Sequence, residues 1–173
     1  MEFRETLDSR RSVRTYRPSK PDPRAILKIL EALALAPSAG NLQAYRVVAV
    51  GNPKVKAALA AAAHGQSFIA QASFVLVFFA DPERSATKYL QRGRLLFAAQ
   101  DATLAAAYAQ LAAADLGLAS CWVGAFNDEA VIKAVNAPQG LRPVAVLPIG
   151  EAMEMPDRPP RRLIGELVVS EGF

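Results

Sequence analysis

Three arginines and a hydroxyl fall within five residues near the start of the chain, at Arg10, Arg11, Ser12 and Arg14. Arginine keeps its charge at any working pH and grips phosphate or carboxylate through two parallel hydrogen bonds. A short amphipathic segment precedes the run, and the dipeptide Arg17-Pro18 disfavours helix after it. The pattern therefore predicts arginines at a turn after a helix, where they would hold an anion. A solvated basic helix end fits these residues equally well.

A second polar segment separates two strongly structured stretches. It contains Pro37, Ser38, Ala39, Asn41 and Gln43. Hydroxyl and amide side chains present both donors and acceptors, which suits recognition of a polar ring edge. A plain connecting loop is the alternative interpretation.

The composition limits the classes of function. The 173 residues are 52% hydrophobic and 21% charged, which indicates one globular domain over residues 1–173. The net charge of +4 fits an anionic partner. Nucleic acid is disfavoured as that partner, because the basic residues are not interleaved with aromatics and no helix has a basic face. One cysteine and one histidine exclude an internal disulfide and a His-rich metal site. The start of the chain does not resemble a signal peptide and no apolar run is long enough for a bilayer, so we predict a cytoplasmic protein.

Periodicity predicts an alternation of helices and strands. Asp22-Pro23 begins a helix that ends near Ala36, and strands follow at residues 45–50, 74–80, 119–125 and 142–150. Further helices are predicted at 54–63, from about 88 to 116, and from a cap at Asn127 or Asp128 to about Val135. The long alanine-rich helix should be buried on several sides, either by the core or by another subunit. This order predicts an α+β fold, a three-layer α-β-α sandwich with a long central helix.

Four segments in this order resemble the nitroreductase family of FMN-dependent oxidoreductases, and specifically its compact branch. They are Arg10–Arg14, Pro37–Gln43, Gly117–Gly124 and the closing Arg161-Arg162-Leu163-Ile164. The resemblance implies a sandwich of the nitroreductase type, dimeric, with FMN at the subunit interface. One departure is Ala44-Tyr45, where the family commonly has Pro-Trp, and it bears on the rigidity of the second segment.

The resemblance also implies roles for individual residues. Arg10, Arg11, Ser12 and Arg14 match contacts to the FMN phosphate and the pyrimidine end of the flavin, and either Arg161 or Arg162 matches a further phosphate contact. Val123 and Gly124 match the backbone beside flavin N5. The loop residues that match flavin contacts, partly supplied by the partner subunit, are Pro37, Ser38, Ala39, Asn41 and Gln43. Gln66, Phe68, Tyr89 and Arg94, in the variable segments of the chain, would shape access for the substrate.

The implied activity is ping-pong hydride transfer from NAD(P)H through flavin N5 to a small-molecule acceptor such as a nitroaromatic or quinone. The chemistry would occur on the flavin, with no catalytic side chain and no metal. A specialised relative that reduces an alkene or aldehyde, removes halogen or cleaves the flavin is one alternative. Another is a non-catalytic flavin-binding regulatory module. The sequence does not choose between NADH and NADPH.

Overall fold

The computed structural model describes residues 1–20 and 22–172. The helices are α1 (Phe3–Ser9), α2 (Pro23–Ala34), α3 (Pro53–Ala62), α4 (Phe68–Gln71), α5 (Pro82–Arg92), α6 (Ala98–Asp115), α7 (Asp128–Val135) and α8 (Ile164–Leu167). The strands are β1 (Tyr45–Val50), β2 (Phe74–Ala80), β3 (Ala119–Ser120) and β4 (Arg142–Gly150). A 3-10 turn covers Ala39–Asn41, and a π-helical turn covers Gly93–Phe97.

The strands form one antiparallel sheet in the order β1-β2-β4-β3. β2 lies inside this sheet and is buried along its whole length, as its uninterrupted apolar sequence predicts. Its alternate side chains face opposite layers: Val75, Val77 and Phe79 pack with α3, α4 and α7, whereas Phe74, Leu76 and Phe78 pack with α2 and α6. The predicted three-layer sandwich is therefore confirmed.

Side-chain caps begin four of the helices. The carboxylate or amide of the residue before each helix accepts a backbone N–H from its first turn: Asp22 for α2, Asn52 for α3, Asp81 for α5 and Asn127 for α7. In three cases proline follows at the first helical position, where its missing N–H costs nothing. These signals explain why the predicted starts of α2 and α3 agree with the structure to within about a residue. The start of α5 at Pro82 was not predicted, because the predicted helix began only near Lys88.

The prediction of one helix from about Lys88 to Leu116 is wrong. The chain breaks at Leu90, whose φ of 49° and ψ of −132° are not helical, and then passes through the π-helical turn before α6 begins. Gly93 lies against α5 so closely that a Cβ there would be 2.6 Å from the Ser85 carbonyl oxygen. Periodicity does not reveal this close contact between two segments of the predicted helix region.

Leu90→Gly should stabilise the protein. A leucine at positive φ costs on the order of 1–3 kcal/mol, and the side chain is 72% exposed, so its removal sacrifices little burial. After the entropy cost of glycine we expect a net gain of about 1 kcal/mol and a rise in melting temperature of about 2–4 °C. Leu95→Gly, at an exposed position with ordinary φ, should lower it. Equal destabilisation by the two substitutions in thermal unfolding would show that Leu90 is not strained.

Among residues 1–20 and 22–172, no helix combines the length and the apolarity needed to cross a membrane. The same residues contain no group of three or more His, Cys, Asp or Glu side chains that could hold a metal ion.

Candidate functional site: an arginine cleft and a strained loop

The arginine segment lines a cleft of about 400 Å³ together with the C-terminal tail. The tail contributes Arg161 and also Arg158, which the sequence analysis did not select. The complete lining is Arg10, Arg11, Ser12, Arg14, Pro156, Asp157, Arg158, Pro159 and Arg161. Guanidinium groups from two distant parts of the sequence thus converge on one concave surface.

Backbone pairing along the edge of the sheet brings the two segments together. α1 ends at Ser9, and the chain then runs beside β3, where Val13 N–H donates to the Ser120 carbonyl at 3.1 Å. Farther along, Arg17 N–H donates to Glu151 O and Met153 N–H donates to Thr15 O, each at 3.0 Å. The tail therefore leaves β4 antiparallel to the arginine segment, and this pairing sets both walls of the cleft.

The cleft is electrostatically crowded. Burial lowers the pKa of Arg10, and the guanidinium groups of Arg161, Arg11 and Arg158 lower it further. Arg11 donates from Nη1 to the backbone oxygens of Asp8 and Arg10, but its Nε is buried with no hydrogen-bond partner among the described residues. Repulsion between cations and an unpaired buried donor are both relieved by a bound anion.

The two candidate arginines of the tail differ in their surroundings. Arg161 lines the cleft, whereas Arg162 is an ion-pair partner of Glu166, with Nε 3.2 Å from the carboxylate. Arg158 combines both features: it lines the cleft, and its Nη1 donates to Asp8 Oδ1 at 2.8 Å. That ion pair fastens the tail to α1 beside the cleft.

Val123 and Gly124 follow the short strand β3, so the predicted strand over residues 119–125 is wrong in length. Val123 forms an isolated bridge to Val146, with N···O distances of 3.0 and 2.9 Å, while Gly124 is exposed. Burial raises the pKa of the preceding Cys121 thiol, and Arg14 and Arg10 act on it in the opposite direction. The segment that ends at Gly124 thus begins beside the cleft.

The second polar segment forms a tight loop against α6. Gly40, Asn41 and Gln43 all have positive φ, between 48° and 58°. Ser38 Oγ accepts the Gln43 N–H at 2.9 Å, and the Gln43 side-chain amide donates to Asn41 Oδ1 at 3.2 Å. Glycine adopts positive φ freely, so the backbone strain of this loop lies at Asn41 and Gln43. Strain of this kind persists only when the surroundings hold it, and it is typical of functional loops.

A buried carboxylate anchors this loop. Asp101, on the first turn of α6, is 2% exposed and accepts the Ala39 N–H at 2.9 Å and the Ala44 N–H at 3.2 Å. Sequence reasoning missed this role, because one aspartate in an alanine-rich helix carries no local signal of a partner about sixty residues away.

Asp101→Asn should destabilise the protein by about 1–3 kcal/mol, since the amide nitrogen would face a backbone N–H and leave a buried donor unpaired. Glu31→Gln neutralises an exposed carboxylate on α2 and serves as the matched control. Urea unfolding of the two variants measures the difference. Equal stability of Asp101→Asn and Glu31→Gln would show that the loop does not depend on this carboxylate.

One copy of the chain does not bring the loop and the cleft together. The loop lies at the Asp101 end of α6, whereas Arg10 and Arg11 share a small cavity with Ala114 near its other end. Ala114 follows Asp101 by thirteen helical steps, which is about 20 Å along the axis. A ligand that touches both groups must therefore lie between two copies, or the loop must serve a different site.

The four residues predicted to shape substrate access differ in burial and in hydrogen-bond partners. Phe68 is part of the core, Arg94 forms a two-bond ion pair with Glu83, and Gln66 donates to the backbone oxygen of Ala63. Tyr89 is half-buried near the loop, where a Cβ on Gly40 would lie 2.6 Å from its hydroxyl.

Comparison with known proteins places these features in context. A model described as the nitroreductase family matches residues 7–94 and 63–151. A Thermus thermophilus NADH dehydrogenase is 51% identical over 75 residues, which cover 43% of this chain but only 36% of that relative. A Bacillus subtilis protein with the name FMN reductase [NAD(P)H] is 30% identical over 169 residues, which cover 90% of this chain and 68% of that relative. The solved structure of a hypothetical Bacillus subtilis oxidoreductase superposes with a TM-score of 0.91 at 28% identity, covering all of this chain and 75% of that one.

Proposed function

The chain belongs to the nitroreductase family, and from that premise we propose that it is an FMN-dependent oxidoreductase that passes hydride from NAD(P)H to a small acceptor by a ping-pong mechanism. Nitroaromatics and quinones are the acceptor classes that we propose. The observation that carries the assignment is the arginine cleft, because it concentrates positive charge where a phosphate can enter.

The residues of the cleft fit an FMN phosphate. A phosphate monoester carries close to two negative charges and three acceptor oxygens near neutral pH. The unpaired Nε of Arg11 and the crowded guanidinium of Arg10 are the donors that such a group would satisfy. We assign the phosphate to Arg10, Arg11, Ser12 and Arg161, and the pyrimidine end of the flavin to Arg14.

We further propose a homodimer with FMN between the subunits. The strained loop and the cleft are about 20 Å apart along α6, so one chain alone does not enclose a flavin with both. The loop of one subunit, through Pro37, Ser38, Ala39, Asn41 and Gln43, would cover a flavin held by the arginines of the other. Large exposed apolar side chains support this arrangement, and in the C-terminal tail they are Met153, Met155, Leu163, Ile164, Leu167, Val168 and Val169.

The residue types indicate which role the cofactor has and which role the protein has. Bound FMN supplies two-electron hydride chemistry at N5, which needs no acid–base pair of side chains. The chain binds and orients: Arg14 would favour negative charge at the pyrimidine edge, and the backbone at Val123 and Gly124 would lie beside N5, where glycine permits close approach. A donor and an acceptor that use one pocket in turn give ping-pong kinetics.

Steady-state kinetics of the FMN-loaded protein test this proposal. We expect NAD(P)H oxidation that depends on an added quinone or nitroaromatic, with parallel double-reciprocal lines when donor and acceptor are varied together. Intersecting lines would contradict the ping-pong mechanism. Absence of turnover with any acceptor, although FMN is bound, would favour a regulatory flavin-binding module instead.

The two tail arginines should differ in their effect on the cofactor. Arg161→Ala should weaken FMN binding by about 1.5–3 kcal/mol, roughly 10–150-fold, since it removes a charge-assisted contact. Arg162→Ala should change it much less, because that side chain pairs with Glu166. Fluorescence titration of the apoprotein with FMN measures both values. A larger loss in Arg162→Ala than in Arg161→Ala would reverse the assignment.

A further inference from the structure

Two cations flank an aromatic pair at the junction of α5 and the π-helical turn. The Lys88 Nζ lies 5.6 Å from the centroid of the Tyr89 ring, and the Arg92 guanidinium carbon lies 5.4 Å from the centroid of the Phe97 ring. The two rings contact each other edge to face, with centroids 5.0 Å apart. We call these four residues, Lys88, Tyr89, Arg92 and Phe97, the α5 cluster.

The charges of Lys88 and Arg92 are not neutralised by neighbouring carboxylates of the described residues. Within the part of the chain that the structure describes, neither Lys88 nor Arg92 forms an ion pair with a carboxylate. The acidic residues on the same element are already engaged. Glu83 holds Arg94 through hydrogen bonds of 2.7 and 2.8 Å, and Asp81 caps the helix and lies 3.8 Å from Arg46.

The α5 cluster adjoins the strained loop. A Cβ on Gly40 would lie 2.8 Å from Lys88 Nζ and 2.6 Å from Tyr89 Oη, so both side chains reach the loop backbone. Arg84, one turn before Lys88, donates from Nε to the Leu42 carbonyl. Lys88 and Arg92 are both exposed, so their charged groups remain open to a ligand. The cluster therefore borders the loop that the proposed function assigns to the flavin of the partner subunit.

We propose that Lys88 and Arg92 bind the 2′-phosphate of NADPH and make the enzyme prefer NADPH over NADH, an inference that rests on the proposed function. NADPH differs from NADH only by this phosphate, which neighbours the adenine ring. Arginine and lysine are the side chains that recognise phosphate, and a guanidinium or an aromatic ring also offers a flat face to a base. The α5 cluster supplies both kinds of group at the margin of the proposed flavin pocket.

The test compares nucleotides that do or do not carry the 2′-phosphate. The variant is Lys88→Gln with Arg92→Gln, which removes both charges but keeps unbranched polar side chains at both positions. The matched control is Arg24→Gln with Lys28→Gln, which removes two exposed cations four residues apart on α2. All three FMN-loaded proteins are titrated calorimetrically with 2′,5′-ADP and with 5′-AMP, and their kcat/KM values are measured with NADPH and NADH.

We expect the wild type and the control to bind 2′,5′-ADP more tightly than 5′-AMP, and the double variant to lose that difference. Its kcat/KM for NADPH should fall by about 10–100-fold, as expected for the loss of charge-assisted contacts, while the value for NADH changes little. Equal losses with NADPH and NADH would overturn the assignment, because the cluster would then serve the diphosphate or the pocket structure. Unchanged kinetics and unchanged 2′,5′-ADP binding would overturn it as well.

Failure of this inference is distinguishable from failure of the proposed function. A wild-type protein that holds FMN and oxidises NADH and NADPH equally well contradicts only the 2′-phosphate site. A wild-type protein that does not take up FMN, or is not reduced by either nucleotide, contradicts the proposed function and this inference with it.

Discussion

Arg10→Ala combined with Arg14→Ala should release FMN from the protein. Each substitution removes a charge-assisted contact, so the pair should weaken binding by about 3–6 kcal/mol, or roughly 10²–10⁴-fold in dissociation constant. The apoprotein itself should remain folded. Burial and then the neighbouring guanidinium groups lower the pKa of Arg10, so removing a cation from the cleft relieves an unfavourable charge in the ligand-free state.

The control for this experiment is Arg17→Ala combined with Arg24→Ala, two exposed arginines outside the cleft. It removes the same net charge and so separates local contacts from general electrostatic attraction. Bound flavin is measured by absorbance after gel filtration, and folding by circular dichroism. Flavin retention equal to that of the control would place the phosphate elsewhere.

Ala106→Glu should abolish folding or reduce stability by more than about 4 kcal/mol. Ala106 is completely buried where α6 packs against α2 and the sheet, in contact with a cluster that includes Ile29, Leu33 and Phe78. A glutamate there would bury a carboxylate without a partner and overfill a closely packed site. Few single substitutions exceed this cost.

Ala58→Glu is the matched control, since Ala58 is an exposed alanine within α3. Urea unfolding and light scattering compare the two variants. If Ala106→Glu folds to native size with the stability of Ala58→Glu, then α6 is not packed in the core as described.

The extent to which sequence predicts this fold depends on how local the signals are. β2 is readable from its seven apolar residues, and α2 and α3 are readable from a capping side chain followed by proline. The break between α5 and α6 is not readable. Leucine is a good helix former, so neither the positive φ of Leu90 nor the close approach of Gly93 to the Ser85 backbone has a local sequence signal.

Some residues of the candidate site could likewise be predicted from local sequence, and others could not. Three arginines close together fit either an anion site or a solvated helix end by residue type, and the structure shows that they line one cleft. Arg158 and Asp101 were missed, because their roles come from partners far away in sequence: Asp8 for the first, and the backbone of Ala39 and Ala44 for the second. The sequence likewise does not distinguish Arg161 from Arg162 as the proposed phosphate ligand. The structure separates them, because Arg162 pairs with Glu166 whereas Arg161 lines the cleft.

We propose above all that this chain holds FMN and reduces it with a nicotinamide nucleotide. The most direct measurement is the visible absorption spectrum of the FMN-loaded, gel-filtered protein before and after anaerobic addition of NADPH or NADH. We predict a bound flavin spectrum that bleaches with at least one donor, before any acceptor is added. A spectrum that persists with both donors, or the absence of bound flavin after incubation with FMN, would contradict the account.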